Sequence, residues 1–188
     1  MNTLSAALYR FFDARRTRIA SAVFFGFVLL NLAAELAFGA LSGDPNPVPD
    51  LSLGYSAATL YAMIEGFGEA GRAHFLRVHL GVDMVFPMIF GSALSAWGGW
   101  GLRRVTAAGS RWRLLNVAGA VAAGFDVSEN LTLSVLVLSW PAQLPWLVPV
   151  ASLFTVLKWT AVAVASLVIV VAQARLLSLT RVVKPPPR

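Results

Sequence analysis

Four stretches of this chain, Ile19 to Leu41, His79 to Leu102, Leu114 to Trp140 and Leu147 to Ala172, are each apolar over about the 20 residues that carry a helix across a bilayer. Hydrocarbon offers backbone N–H and C=O groups no partner, so each stretch must satisfy its own hydrogen bonds and fold as a helix. The expected fold class is therefore all-α: a polytopic membrane protein with four transmembrane helices in a bundle, one domain over residues 1–188. Composition removes the alternatives. Apolar residues make up 57% and charged residues 13% of the chain, against about 45–50% and 25% in a soluble domain. So few charges cannot cover a water-facing surface, and so much apolar surface does not stay disordered. There is no cysteine, hence no disulfide framework, thiolate metal ligand or cysteine nucleophile.

Charge between the spans sets the orientation. Arg10, Arg15, Arg16 and Arg18 precede the first span. Arg103, Arg104, Arg111 and Arg113 lie in the second connection, and Arg175, Arg181, Lys184 and Arg188 in the tail over 173–188. Twelve of fifteen basic residues thus fall on one side, which predicts cytoplasmic N- and C-termini. Trp97, Trp100 and Trp112 sit near that interface, Trp140 and Trp146 near the other, and Trp159 alone falls deep in a span. The net charge of +6 reads as a basic fringe against anionic headgroups, so membrane lipids are the expected partners and nucleic acid is not. Residues 1–12 place Leu4, Leu8, Phe11 and Phe12 on one face of a short helix suited to the inner leaflet. The first apolar run exceeds a signal-peptide core and carries Asn31 and Glu35, so it is expected to remain as a span. Thirteen arginines against two lysines, with abundant Ala and Gly, fit a GC-rich bacterial source and hence a bacterial inner, or plasma, membrane.

The outer connection, residues 42–78, opens with Pro45, Pro47 and Pro49. It then predicts a short helix over 56–67 with Ser56 as N-cap, broken by Gly66, Gly68 and Gly71. Those glycines spell GxGxxG, but a dinucleotide site needs that motif between a strand and a helix; a hinge is the expected role. Asn130-Leu131-Thr132 matches a glycosylation sequon inside a span and is rejected. Ala118 to Gly124 is rich in small residues that let helices approach closely.

The informative residues are polar groups that lipid should exclude. Asn31 and Glu35 share a face of the first span; His79 and Asp83 lie at i and i+4 at the outer end of the second. Asp126, Glu129 and Asn130 form one stripe of the third, and Thr155 and Lys158 one of the fourth. At about 1.5 Å rise per residue, these stripes share the midplane and outer half. A charge at the bilayer centre costs at least about 2.5–3.5 kcal/mol, so the stripes should face each other inside the bundle. The expected cluster is Asp126, Glu129, Asn130, Lys158, Glu35, Asp83, Arg72 and His79, with Lys158 paired to Asp126 or Glu129. Its acids outnumber Lys158, so carboxyls hold protons, a cation enters, or Arg72, Arg77 or His79 swings in from the outer mouth. Pro87 cannot serve the carbonyl of Asp83, which predicts a kink beside that carboxylate. Two histidines fall short of a three-His zinc set; no metal and no cofactor is expected, and no catalytic residue can be named.

The ordered stretches Gly68-Glu69-Ala70-Gly71-Arg72, Asp83-Met84-Val85-Phe86-Pro87, Asp126-Val127-Ser128-Glu129-Asn130 and Thr155-Val156-Leu157-Lys158-Trp159 resemble a group of small bacterial four-span integral membrane proteins. That resemblance implies the same fold and no particular activity. Three functions fit the residues. One is a module that binds or moves a small polar solute, cation, proton or lipid headgroup. Another is an intramembrane enzyme acting on a lipid or lipid-linked substrate. The last is a structural subunit whose ionic pairs lock helices together. Whether the chain is an enzyme, and its oligomeric state, are left open by the residues alone.

Overall fold

The computed structural model describes residues 3–34 and 54–182. The proline-rich start of the outer connection and Glu35 lie outside the described residues. The chain forms α1 (Thr3–Phe11), α2 (Ala14–Ala34), α3 (Ala57–Gly66), α4 (Gly68–His79) and α5 (Val82–Val105). A 3-10 helix (Arg111–Val117), α6 (Ala118–Leu138) and α7 (Val148–Val182) follow. No strand occurs among the described residues. Four helical segments are long and apolar enough to cross a membrane: α2, α4 with α5, the 3-10 helix with α6, and α7. The protein is an all-helical polytopic bundle. The last helix runs on past Ala172 to Val182, because no breaker occurs there before the terminal prolines.

The basic end is built from local caps and inter-helix bonds. Asp13 caps α2 by accepting the Arg16 N–H at 2.7 Å. That N–H, helped by the charges of Arg16 and Arg15, holds the Asp13 carboxyl below its ordinary range. The cap's contribution is therefore full above the usual carboxylate pKa and fades as pH falls through the lowered one. The predicted amphipathic helix forms as α1, and Ser5 and Tyr9 tie it to the 3-10 helix. Ser5 is buried and donates to Asn116 Oδ1 at 2.7 Å, while the Tyr9 hydroxyl donates to the Arg113 carbonyl at 3.1 Å. Leu4 and Phe11 stay exposed. Burial raises the Tyr9 pKa, against the nearby charges of Arg113 and Arg103. Polar groups won this face because the 3-10 helix presents an amide and carbonyls that need partners.

Helices α5, α6 and α7 form the packed centre, and α2 rests mainly on α5. None of the most apolar stretch of α2 is buried. The α5–α6 crossing depends on two glycines. A Cβ on Gly119 would come within 2.6 Å of the Gly91 carbonyl oxygen, and one on Gly91 within 2.8 Å of the Gly119 carbonyl oxygen. The two backbones touch where side chains would separate them.

Two breaks precede the long helix of the second span. Only Phe67 interrupts the helix at the glycine-rich stretch, and residues 68–79 are helical as α4. The next discontinuity is at Leu80–Gly81, and α5 then runs through Pro87. A Cβ at Gly81 would lie 2.5 Å from the Arg77 carbonyl oxygen. Glycine there lets the chain turn between two helices.

The short helix α3 closes one end of the bundle. Ser56 caps α3 by accepting the Thr59 N–H at 3.1 Å. Leu60, Tyr61 and Ile64 of α3 pack with Phe75 of α4, Leu133, Leu136 and Val137 of α6, and Val148 and Ala151 of α7. This apolar plug occupies the mouth of the bundle. Replacing Gly119 with Leu is expected to force α5 and α6 apart and destabilise the protein by about 1–3 kcal/mol. Gly124→Leu, at a position with open space around its Cβ, should change little; thermal unfolding in detergent compares them.

Candidate functional site

Directly below the plug lies a buried ion pair with three members. Asp126 and Glu129 are three residues apart on α6 and present their carboxylates to the same neighbour, Lys158 of α7. Lys158 Nζ lies 2.7 Å from Glu129 Oε2 and 3.1 Å from Asp126 Oδ1. The hydroxyl of buried Thr155 donates to Glu129 Oε1. Glu129 is 0% exposed, Lys158 6% and Asp126 7%, so the ammonium does not reach either interface. Sequence spacing left open which carboxylate the lysine takes. It takes both.

A second device links α5 to this stripe. Pro87 has no N–H, which leaves the Asp83 carbonyl, four residues earlier, without its helical donor. Asn130 Nδ2 donates to that carbonyl at 2.7 Å. The amide of a neighbouring helix thus replaces the missing backbone bond, as buried backbone in hydrocarbon requires. The other amide atom of Asn130, its Oδ1, is buried and has no hydrogen-bond partner among the described residues. Asp83 sits at the edge of the cluster. Its Oδ2 is 3.5 Å from Nδ1 of His79, whose ring stacks on Phe75 with centroids 3.6 Å apart.

One expected member, Arg72, and the stripe residue Asn31 are elsewhere. Arg72 does not swing into the bundle. Its Nη1 donates to the Ile64 carbonyl at 3.3 Å and its guanidinium lies over Trp140, 5.6 Å from the ring centroid. The plug supplies these partners at the surface, so the side chain has no reason to be desolvated further. Asn31 is exposed on α2 and donates back to the Phe27 carbonyl at 2.9 Å; the helix's own backbone satisfies it. Glu35 lies outside the described residues. The structure therefore brings together Asp126, Glu129, Asn130, Lys158, Thr155, Asp83 and His79.

A cavity of about 370 Å³ adjoins the cluster. Asp83, Asp126, Asn130 and Lys158 form its polar end, and Phe24, Phe86, Phe90, Leu94, Trp159, Val162 and Ser166 complete it. The apolar wall was missed by a search for charge. It is nonetheless written in the chain: Asp83, Phe86, Phe90 and Leu94 continue one face of α5, and Lys158, Val162 and Ser166 recur every fourth residue of α7. A separate groove of about 280 Å³ near Arg175 and Trp112 shares no residue with this cavity.

No group of three or more His, Asp or Glu suited to a metal ion occurs among the described residues. Lys158 fills the space between the two α6 carboxylates where a cation would otherwise be held. The chemistry available is recognition of charge and hydrogen-bond donors in a buried site. Comparisons with protein-family models, with curated proteins and with solved structures find no match.

The Asn130 amide and Pro87 should be energetically linked. Asn130→Ala alone is expected to destabilise by about 1–3 kcal/mol by orphaning a buried carbonyl. In a Pro87→Ala background the restored N–H serves Asp83, and the loss should shrink by about 1 kcal/mol or more. Strictly additive effects in a double-mutant cycle would contradict the replacement bond.

Proposed function

We propose that this protein is a multi-pass component of a bacterial plasma membrane, with both termini cytoplasmic, and that the Asp126–Glu129–Lys158 cluster binds or moves a small polar solute, cation or lipid headgroup. The observation that carries the binding role is the cavity: Asp126 and Lys158 line a space bounded by α2, α5, α6 and α7. Its volume lies in the range of about 300–1,000 Å³ of small-molecule sites. An ionic lock between helices needs no cavity beside its charges and gains nothing from an unsatisfied Asn130 carbonyl.

A structural role has one observation in its favour, because Lys158 is held by two carboxylates and joins α6 to α7. Exchange of the pair, Asp126→Lys with Lys158→Asp, separates the two readings. Protein in lipid nanodiscs is titrated with methylammonium, sodium ion and a short-chain phosphatidylethanolamine in turn. At about 100 times its Kd, a bound probe stabilises the fold by about 2.7 kcal/mol. Wild-type protein is expected to show that shift with at least one probe, and the exchanged variant to lose it. A folded exchange variant that responds like wild type, or no shift with any probe, leaves the structural lock as the function.

The orientation is tested by labelling, for which the cysteine-free sequence is convenient. In intact cells a Gln143→Cys variant is expected to react with a membrane-impermeant maleimide, while Gly109→Cys reacts only after lysis. The reverse pattern would invert the topology.

A further inference from the structure

We infer that a groove at the arginine-rich end of the bundle, between α5, the 3-10 helix and α7, seats one phospholipid with a net negative head, of the phosphatidylglycerol class. Its phosphate meets Arg175 and Arg111, and one acyl chain lies along α7. The groove shares no residue with the cavity beside Lys158, so this inference does not depend on the cluster's role.

Close packing of two helices shapes the groove. A Cβ on Gly101 of α5 would come within 2.7 Å of the Ala172 Cβ on α7, so the two helices nearly touch there. Ala172 belongs to the lining. Val105 of α5, Val168 and Val171 of α7, and Leu115 and Trp112 of the 3-10 helix stand with it around a space of about 280 Å³.

The walls suit an acyl chain rather than a soluble ion. Among the described residues only Thr106, Trp112 and Arg175 bring polar side-chain atoms to the lining, and the rest is aliphatic. From Leu167 to Arg175 the groove follows eight residues of α7, about 12 Å along the helix. Leu167 and Val171 are exposed within a membrane-crossing segment, so the groove opens to lipid. A void there would leave its walls without contacts, which a lipid chain restores.

The head's charge follows from arginines that no carboxylate neutralises. Arg175 lines the groove, is exposed, and has no hydrogen-bond or ion-pair partner for its guanidinium among the described residues. Arg111 holds its guanidinium 5.9 Å from the ring centroid of Trp112, at the groove's wall. Arg113 is tied to Thr106, donating to its hydroxyl at 3.3 Å and to its carbonyl at 2.9 Å, both neutral oxygens. Arg103 and Arg104, by contrast, are turned to the backbone carbonyls of Phe12 and Trp100. Among the described residues the one carboxylate at this end is Asp13, which caps α2. A phosphate at Arg175 therefore lies in the field of three guanidinium charges, whose forked donors match its oxygens. Phosphatidylethanolamine carries an ammonium that the same charges repel, and a glycerol head does not.

The test places the protein in phosphatidylcholine nanodiscs with a trace of phosphatidylglycerol or phosphatidylethanolamine, each carrying the same diazirine in one chain. Crosslinks are mapped by peptide mass spectrometry, and thermal unfolding confirms that each variant is folded. Phosphatidylglycerol is expected to label Leu102 to Val105 and Leu167 to Val171 at least about fivefold more than phosphatidylethanolamine, the factor one arginine supplies near an acidic headgroup. Arg175→Gln should bring its labelling down to the phosphatidylethanolamine level. Arg18→Gln, which removes the same charge from α2 outside the groove, should leave it unchanged. Val171→Trp, at an exposed position of the lining, should abolish labelling by filling the chain's place. Soluble glycerol 3-phosphate in excess should not compete. Equal labelling by the two lipids, or an equal loss in Arg175→Gln and Arg18→Gln, overturns the site in favour of a diffuse basic fringe. Competition by glycerol 3-phosphate overturns the lipid, and labelling that survives Val171→Trp overturns the chain's placement.

Discussion

Lys158 is held between Asp126 and Glu129 at a depth where water does not solvate any of them, and the arrangement of the central helices follows from that. An ammonium or carboxylate removed from water loses several kcal/mol of solvation, which only close and complete pairing recovers. Distances of 2.7 and 3.1 Å, with the Thr155 hydroxyl on the remaining side of Glu129, provide it. Because the two carboxylates lie on one face of α6, the pairing fixes the rotation of α6 against α7. The Gly91–Gly119 contact then fixes the height and closeness of α5 against α6. With three helices so constrained, α2 rests on the outside of α5, where the Trp97 indole N–H donates to the Ser21 hydroxyl at 2.7 Å.

The Asp83 carbonyl shows how a backbone defect became a connection between helices. Pro87 removes a donor in the first turns of α5, and hydrocarbon cannot replace it. Asn130 does, and in doing so it orients an amide whose oxygen faces the same region as the ion pair. One proline on α5 and one amide on α6 thereby join two helices. Just before α5 the chain turns at Gly81, where the backbone passes too close to Arg77 for any side chain.

The charged residues of the site were legible because lipid penalises each of them, and because intervals of three or four put them on shared faces. That reasoning found Asp126, Glu129, Asn130, Thr155 and Lys158 before any coordinates. It failed for Asn31 and Arg72, which satisfy themselves on nearby backbone carbonyls, a local solution that spacing does not distinguish from a buried one. The aromatic half of the cavity escaped for another reason. Phe24, Phe86 and Phe90 look like any apolar residue of a span, and only the gap between α2 and α7 turns them into walls.

Chain length in the apolar runs, the spacing of their polar residues and the side on which arginines gather are one-dimensional properties. Solvent transfer energies act on them residue by residue, so the all-helical bundle and its buried charges could be read directly from the order of amino acids. Which carboxylate meets the lysine, which amide serves the orphaned carbonyl, and whether the mouth of the bundle is open or plugged depend on distances between segments far apart in the chain. Those were decided by packing, because a contact of 3 Å between two helices is set by the rotation and closeness of both, and neither helix carries that information alone.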